Sequence, residues 1–128
     1  MKIRGTGIDI VEIARIEKNY NRYANGFASK ILHNEELKEL ENNPNKVDFI
    51  AKRFAVKEAF VKALGTGIRG KVNWRSMYVT HDDNGKPLLS FTPEFAKQIN
   101  AHNLEVHVSI ADENQYAVAQ ALIVENDS

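Results

Sequence analysis

The chain has 128 residues, no cysteine, and 17 basic residues balanced by 17 acidic ones. A neutral chain with a pI near 6.9 has no bulk charge with which to hold nucleic acid, so any electrostatic attraction must come from a local patch. Without cysteine there is no disulfide and no thiolate metal site, which suits a reducing compartment; no segment nears the ~20 apolar residues of a membrane span. The start, MKIRGTGIDI, lacks the apolar core and cleavage site of a signal peptide. The expectation is one cytoplasmic domain over residues 1–128, with neither membrane nor nucleic acid as partner.

Residues 2–11 read as a strand, with glycines at 5 and 7 where a bulge or a close backbone approach is expected. Ile8 and Ile10 share one face, so Asp9 points to the other. A helix follows from about Glu12 to Tyr23, with Ile13, Ile16, Tyr20 and Tyr23 inward, and Asn25-Gly26 breaks it. A short helical piece covers Phe27 to Leu32, and Asn34 is the expected cap of a helix from Glu35 to Glu41. Asn43-Pro44 ends that helix. The next runs from about Lys46 to Leu64 with Val47, Ile50, Phe54, Val61 and Leu64 on its core face, and stops at Gly65.

The second half is mostly strands. Met77–His81 and Pro87–Phe91 flank Asp83-Asn84-Gly85, a hairpin signal. Thr92 and Pro93 open a helix ending near His102. In the strand from Leu104 to Ile110, Glu105, His107 and Ser109 face away from the core; in the last, from Tyr116 to Val124, Ala117, Ala119 and Ala121 leave room for a helix to pack closely. The class is α+β, a long central helix packed on an antiparallel sheet.

Glu58 borders the apolar stripe of the long helix, where a carboxylate is costly to bury unless something positive meets it. Lys62, at i+4, is the expected partner. If that helix packs across the first strand, Asp9 and Glu58 converge, and two carboxylates repel unless a cation lies between them. Oxygen ligation by one or two carboxylates, completed by water and phosphate, is what Mg²⁺ prefers. Arg53, Lys57 and Lys62 on the same helix, with Gly65-Thr66-Gly67 beyond it, make a neighbourhood suited to phosphate, to which Lys86 of the hairpin turn can add a cation. Arg15, Lys18 and Arg22 form a basic stripe that is either a solvated face or a dock for an acidic partner. His107 is suited to a subunit contact or to a substrate phosphate.

Gly7-Ile8-Asp9 and Phe54-Ala55-Val56-Lys57-Glu58-Ala59-Phe60-Val61-Lys62 together resemble the two signatures of the 4′-phosphopantetheinyl transferases, in their short holo-[acyl-carrier-protein] synthase type. The likeness extends to Gly65-Thr66-Gly67-Ile68, Asn84-Gly85-Lys86-Pro87 and His107-Val108-Ser109-Ile110. It departs at Ala111-Asp112, where many members carry Ser or Thr and then His.

The resemblance implies transfer of phosphopantetheine from coenzyme A to a serine of acyl carrier protein. The reaction is Mg²⁺-dependent and serves fatty acid biosynthesis. Asp9 and Glu58 match the metal ligands, and Asp9, Glu58 and Lys62 the catalytic group. Glu58 and a metal-held water are both candidate bases, and Lys62 would neutralise the departing phosphate. Arg53, Lys62, Gly65, Thr66, Lys86, Pro87 and His107 are the expected coenzyme A contacts, and Arg15, Lys18 and Arg22 those of the carrier. The short type forms homotrimers with sites between subunits. A different Mg²⁺-dependent phosphotransferase would use the same carboxylates, but no Gly-Lys-Ser/Thr phosphate loop is present. A noncatalytic binding module would not need Asp9, Glu58 and Lys62.

Overall fold

Small residues decide how the helices meet the sheet. In a computed structural model describing residues 1–127, strand β1 (Lys2–Glu12) pairs antiparallel with β5 (Tyr116–Glu125), which pairs with β4 (Leu104–Asp112), giving the order β1-β5-β4. Helix α4 (Lys46–Leu64) lies across one face of this sheet, chiefly on β1 and β5. Ala117, Ala119 and Ala121 of β5 are fully buried there. A Cβ on Gly5 would stand 2.1 Å from the Ala63 carbonyl oxygen, and one on Gly7 2.0 Å from that of Ala59. Only glycine permits so close a backbone approach. The pairing register also shifts between Ile3 and Gly5, so this part of β1 combines a close approach with a bulge.

Helix α4 is apolar nearly all round. Ile50, Ala51, Ala55, Val56, Ala59 and Phe60 are completely buried, because neighbours cover the helix on several sides. Helices α1 (Ile13–Tyr23), α2 (Asn25–Ile31) and α3 (Asn34–Glu41) lead to it from β1. Strands β2 (Met77–His81) and β3 (Pro87–Phe91) form a separate two-stranded hairpin. Helix α5 (Pro93–Ala101) joins it to β4. Phe60, Phe91 and Phe95 meet with ring centroids 5.3–6.1 Å apart and tie hairpin and α5 to α4. Burying each such side chain contributes about 1.5–3 kcal/mol.

Several local expectations change. The cap of α3 is His33, not Asn34: His33 Nδ1 accepts from the Glu35 N–H, and the Glu36 carboxylate returns to the His33 N–H. This makes a capping box with an imidazole in the place usually held by a hydroxyl. Thr92 stands at the cap of α5 with Pro93 next, but its side chain makes no cap bond. The break after α1 falls at Ala24, which takes a positive φ of 46°, while Asn25-Gly26 begins α2. Tyr23 therefore sits at a helix end and is 53% exposed rather than inward, with the Arg22 guanidinium over its ring.

Candidate active site

Because β1 odd-numbered residues face α4 from Gly5 onward, Asp9 is turned toward the helix that carries Glu58 and Lys62. Asp9 and Glu58 line one cleft of about 340 Å³, with Glu12, Arg15 and Asn19 on its polar wall and Ile16, Phe27 and Phe54 among its apolar residues. Asp9 comes from β1, Arg15 and Asn19 from α1, Glu58 from α4.

The partner of Lys62 is not Glu58. Its ammonium donates to Asp9 Oδ1 at 2.9 Å and to the Ile8 carbonyl at 3.1 Å. The close packing of Gly7 brings β1 within reach of Lys62. Glu58 is met instead by Trp74, whose indole N–H donates to Oε2 at 3.1 Å. The Trp74 ring also packs on Phe54, one turn before Glu58. Trp74, Glu12 and Asn19 escaped the sequence reading. Trp74 lies in a non-periodic segment between α4 and β2, where no spacing links it to the helix.

Lys57 is not presented to a ligand. It is fully buried, donates to the Glu36 carboxylate and, at 2.7 Å, to the Ile31 carbonyl. Glu36 also accepts from the backbone N–H of Val79 at 2.9 Å. Burial lowers the pKa of the Lys57 ammonium while Glu36 opposes that fall. Arg53 is likewise buried, over the Phe49 ring and toward Glu39 at 3.5 Å, with burial lowering its pKa. It is thus packed within the fold of the single chain.

Other expected contacts lie apart from this cleft. Gly65 ends α4 in the left-handed region (φ 82°), and its N–H bonds the Val61 carbonyl, so that group is committed; Thr66 follows it, exposed. Lys86 and Pro87 stand at the β2–β3 turn, where Asp82 accepts from the Lys86 N–H. His107 is on the outer sheet face beside Glu105, in a shallow groove with Ser109 and Gln120. Asp112, at the departure from the family pattern, takes part in a bridge with Lys52 and Asp48. Lys18 and Arg22 remain exposed on α1.

Among the described residues no group of three or more His, Cys, Asp or Glu is arranged to hold a metal. Three carboxylates, Asp9, Glu12 and Glu58, line the cleft, and a set of so few carboxylates fits Mg²⁺ completed by water and phosphate oxygens rather than a metal caged by protein.

Residues 5–121 match the model of the 4′-phosphopantetheinyl transferase superfamily, and the chain belongs to that family. Within it, the likeness is to holo-[acyl-carrier-protein] synthases. The one from Dechloromonas aromatica is 42% identical over 121 residues, covering 94% of this chain and 97% of its own. The crystal structure of the Neisseria meningitidis enzyme superposes with a TM-score of 0.92 at 39% identity, over 96% of this chain and 99% of that one. A Bacillus anthracis holo-(acyl-carrier-protein) synthase, solved in complex with CoA (3′,5′-ADP), gives 0.82 at 35% identity over 98% and 100%.

Proposed function

We infer that this chain, as one domain, transfers the 4′-phosphopantetheine arm of coenzyme A to a serine hydroxyl of apo acyl carrier protein, leaving adenosine 3′,5′-bisphosphate. The observation that carries the reading is the cleft shared by Asp9 and Glu58 in a chain of this family. The serine oxygen forms a bond to the phosphorus bearing the arm, the bond from that phosphorus to the bisphosphate breaks, and the serine proton passes to a base.

Mg²⁺ held by Asp9 and Glu58 would supply charge neutralisation on the diphosphate, easing its repulsion of the entering oxygen. Glu58 stands at the cleft as a candidate base for the serine proton. Lys62, with a side chain 57% exposed, has a long flexible stem that can carry its ammonium from Asp9 to the departing phosphate. Gly65, Thr66, Lys86, Pro87 and His107 remain proposed coenzyme A contacts.

Arg15 borders the cleft and continues into the exposed basic face with Lys18 and Arg22. That face would orient an acidic carrier with its serine toward Asp9 and Glu58. The outer sheet face exposes Ile8 and Ile10, 64% and 62% accessible, with Gln120 of β5 opposite Ile8 and His107 further across on β4. Such a face favours burial against further copies, in keeping with a homotrimer whose neighbours bring His107 toward an adjoining cleft. No described helix is long and apolar enough to cross a membrane. The absence of cysteine suits the cytoplasm, where the modified carrier would serve fatty acid synthesis.

The test is to incubate the chain with coenzyme A, Mg²⁺ and an apo carrier, then weigh the carrier. A gain equal to phosphopantetheine, with adenosine bisphosphate released, is expected. An unchanged carrier across several carrier proteins would overturn the reading.

A further inference from the structure

The Glu58 carboxylate has one hydrogen-bond partner among the described residues, and it is the indole N–H of Trp74, 3.1 Å from Oε2. The same indole packs edge-on against Phe54, with centroids 5.6 Å apart. Phe54 and Glu58 are one turn apart on α4 and both line the cleft. Trp74 therefore grips this helix face at two points, an apolar ring and a carboxylate oxygen.

Its own segment is fixed. Asn73 Oδ1 accepts from the Arg75 N–H and caps the short 3₁₀ turn that carries Trp74. The Arg75 side chain then bonds the Leu32 carbonyl at 3.1 Å and Asn34 Oδ1 at 2.6 Å. A glutamate has three side-chain torsions, and an untethered one samples many positions. A donor fixed by packing and backbone bonds restricts that choice.

We propose that Trp74 is a positioning residue for the transfer site: its indole N–H holds Oε2 of Glu58, leaving Oε1 without a protein donor and open to the divalent cation or the serine proton. Outer partners of this kind change metal affinity or activity by about 10- to 100-fold when removed. The proposal rests on the assignment of Glu58 to that site. Because Trp74 is the sole tryptophan of the chain, its emission reports on this one contact.

The experiment has two arms. In the first, Mg²⁺ is titrated into the wild-type chain at saturating coenzyme A while tryptophan emission is followed. A saturable change is expected, and a flat titration in Glu58→Ala. In the second, Trp74→Phe keeps a ring against Phe54 but removes the donor. The Mg²⁺ concentration for half-maximal transfer should rise about 10-fold or more, with KM for the carrier unchanged and Tm within about 4 °C of wild type.

Wild-type emission indifferent to Mg²⁺, or an unchanged Mg²⁺ requirement in a folded Trp74→Phe, would overturn the proposal. Should that variant fail to fold, the emission arm decides alone. Full transfer activity in Glu58→Ala would instead overturn the assignment of Glu58, a result distinguishable from failure of the Trp74 contact.

Discussion

Lys62 donates to Asp9 Oδ1 at 2.9 Å, across 53 positions of sequence, rather than to Glu58 on its own helix. This contact ties β1 to α4 at the cleft. It depends on the closeness of the two backbones, which in turn depends on glycine. We predict that Gly7→Ala, whose Cβ would meet the Ala59 carbonyl at 2.0 Å, pushes α4 off β1. Overpacking of this sort costs about 1–3 kcal/mol or more. Thermal unfolding should show a lower midpoint, and transfer activity should fall as Lys62 and Asp9 separate. A variant with wild-type Tm and activity would contradict the packing argument.

The buried pair of Lys57 and Glu36 makes a separate prediction. Removing one partner of such a pair leaves an uncompensated buried charge, at a cost of about 3–5 kcal/mol. Lys57→Met should lose about that much stability in urea unfolding. Adding Glu36→Gln removes the charge left behind and should recover part of the loss. A Lys57→Met loss under about 1 kcal/mol would show that the ammonium is not needed to hold the carboxylate.

His33 predicts a pH effect. Burial holds its pKa below the usual 6.5, and its neutral Nδ1 is the acceptor that caps α3. In the window between the lowered folded value and 6.5, the unfolded chain binds the proton and the folded chain does not. Stability should therefore rise with pH through that window and be lost as pH falls from 6.5 through the folded value. His33→Asp keeps a capping acceptor without an imidazole, so this component should vanish from its urea midpoints between pH 7 and pH 5. An unaltered pH profile would place the effect elsewhere.

Arg15 connects cleft and basic face. Reversing its charge in Arg15→Glu should raise KM for the carrier about 10-fold, about 1.4 kcal/mol, with little change in affinity for coenzyme A. Equal loss of both would mean that Arg15 serves the nucleotide or the fold.

Much of the architecture was legible because periodicity and punctuation agree with it. The bounds of α4, the glycines of β1 and the alanines of β5 all follow from residue pattern; alternation also sets Asp9 opposite Ile8 and Ile10, but not which of the two faces meets α4, since the isoleucine face is the exposed one. Which polar side chain of α4 reaches the cleft did not. Helical spacing ranks neighbours on a face, but α4 is covered on several sides, so Arg53, Lys57 and Glu58 look alike in sequence and meet different surroundings. Lys57 is claimed by Glu36 on another helix, Glu58 by a tryptophan from a non-periodic segment, Lys62 by a strand. His33 displaced Asn34 as cap because Glu36 reaches back to it, a tertiary choice since the same carboxylate also serves Lys57 and Val79.

The central claim is that Asp9 and Glu58 act together in phosphopantetheine transfer, and single-turnover transfer to an apo carrier measures it most directly. Asp9→Asn and Glu58→Gln should each slow the transfer at least about 100-fold while remaining folded. Glu94→Gln, in the first turn of α5, should transfer at the wild-type rate. Wild-type transfer rates in either cleft variant would contradict the account.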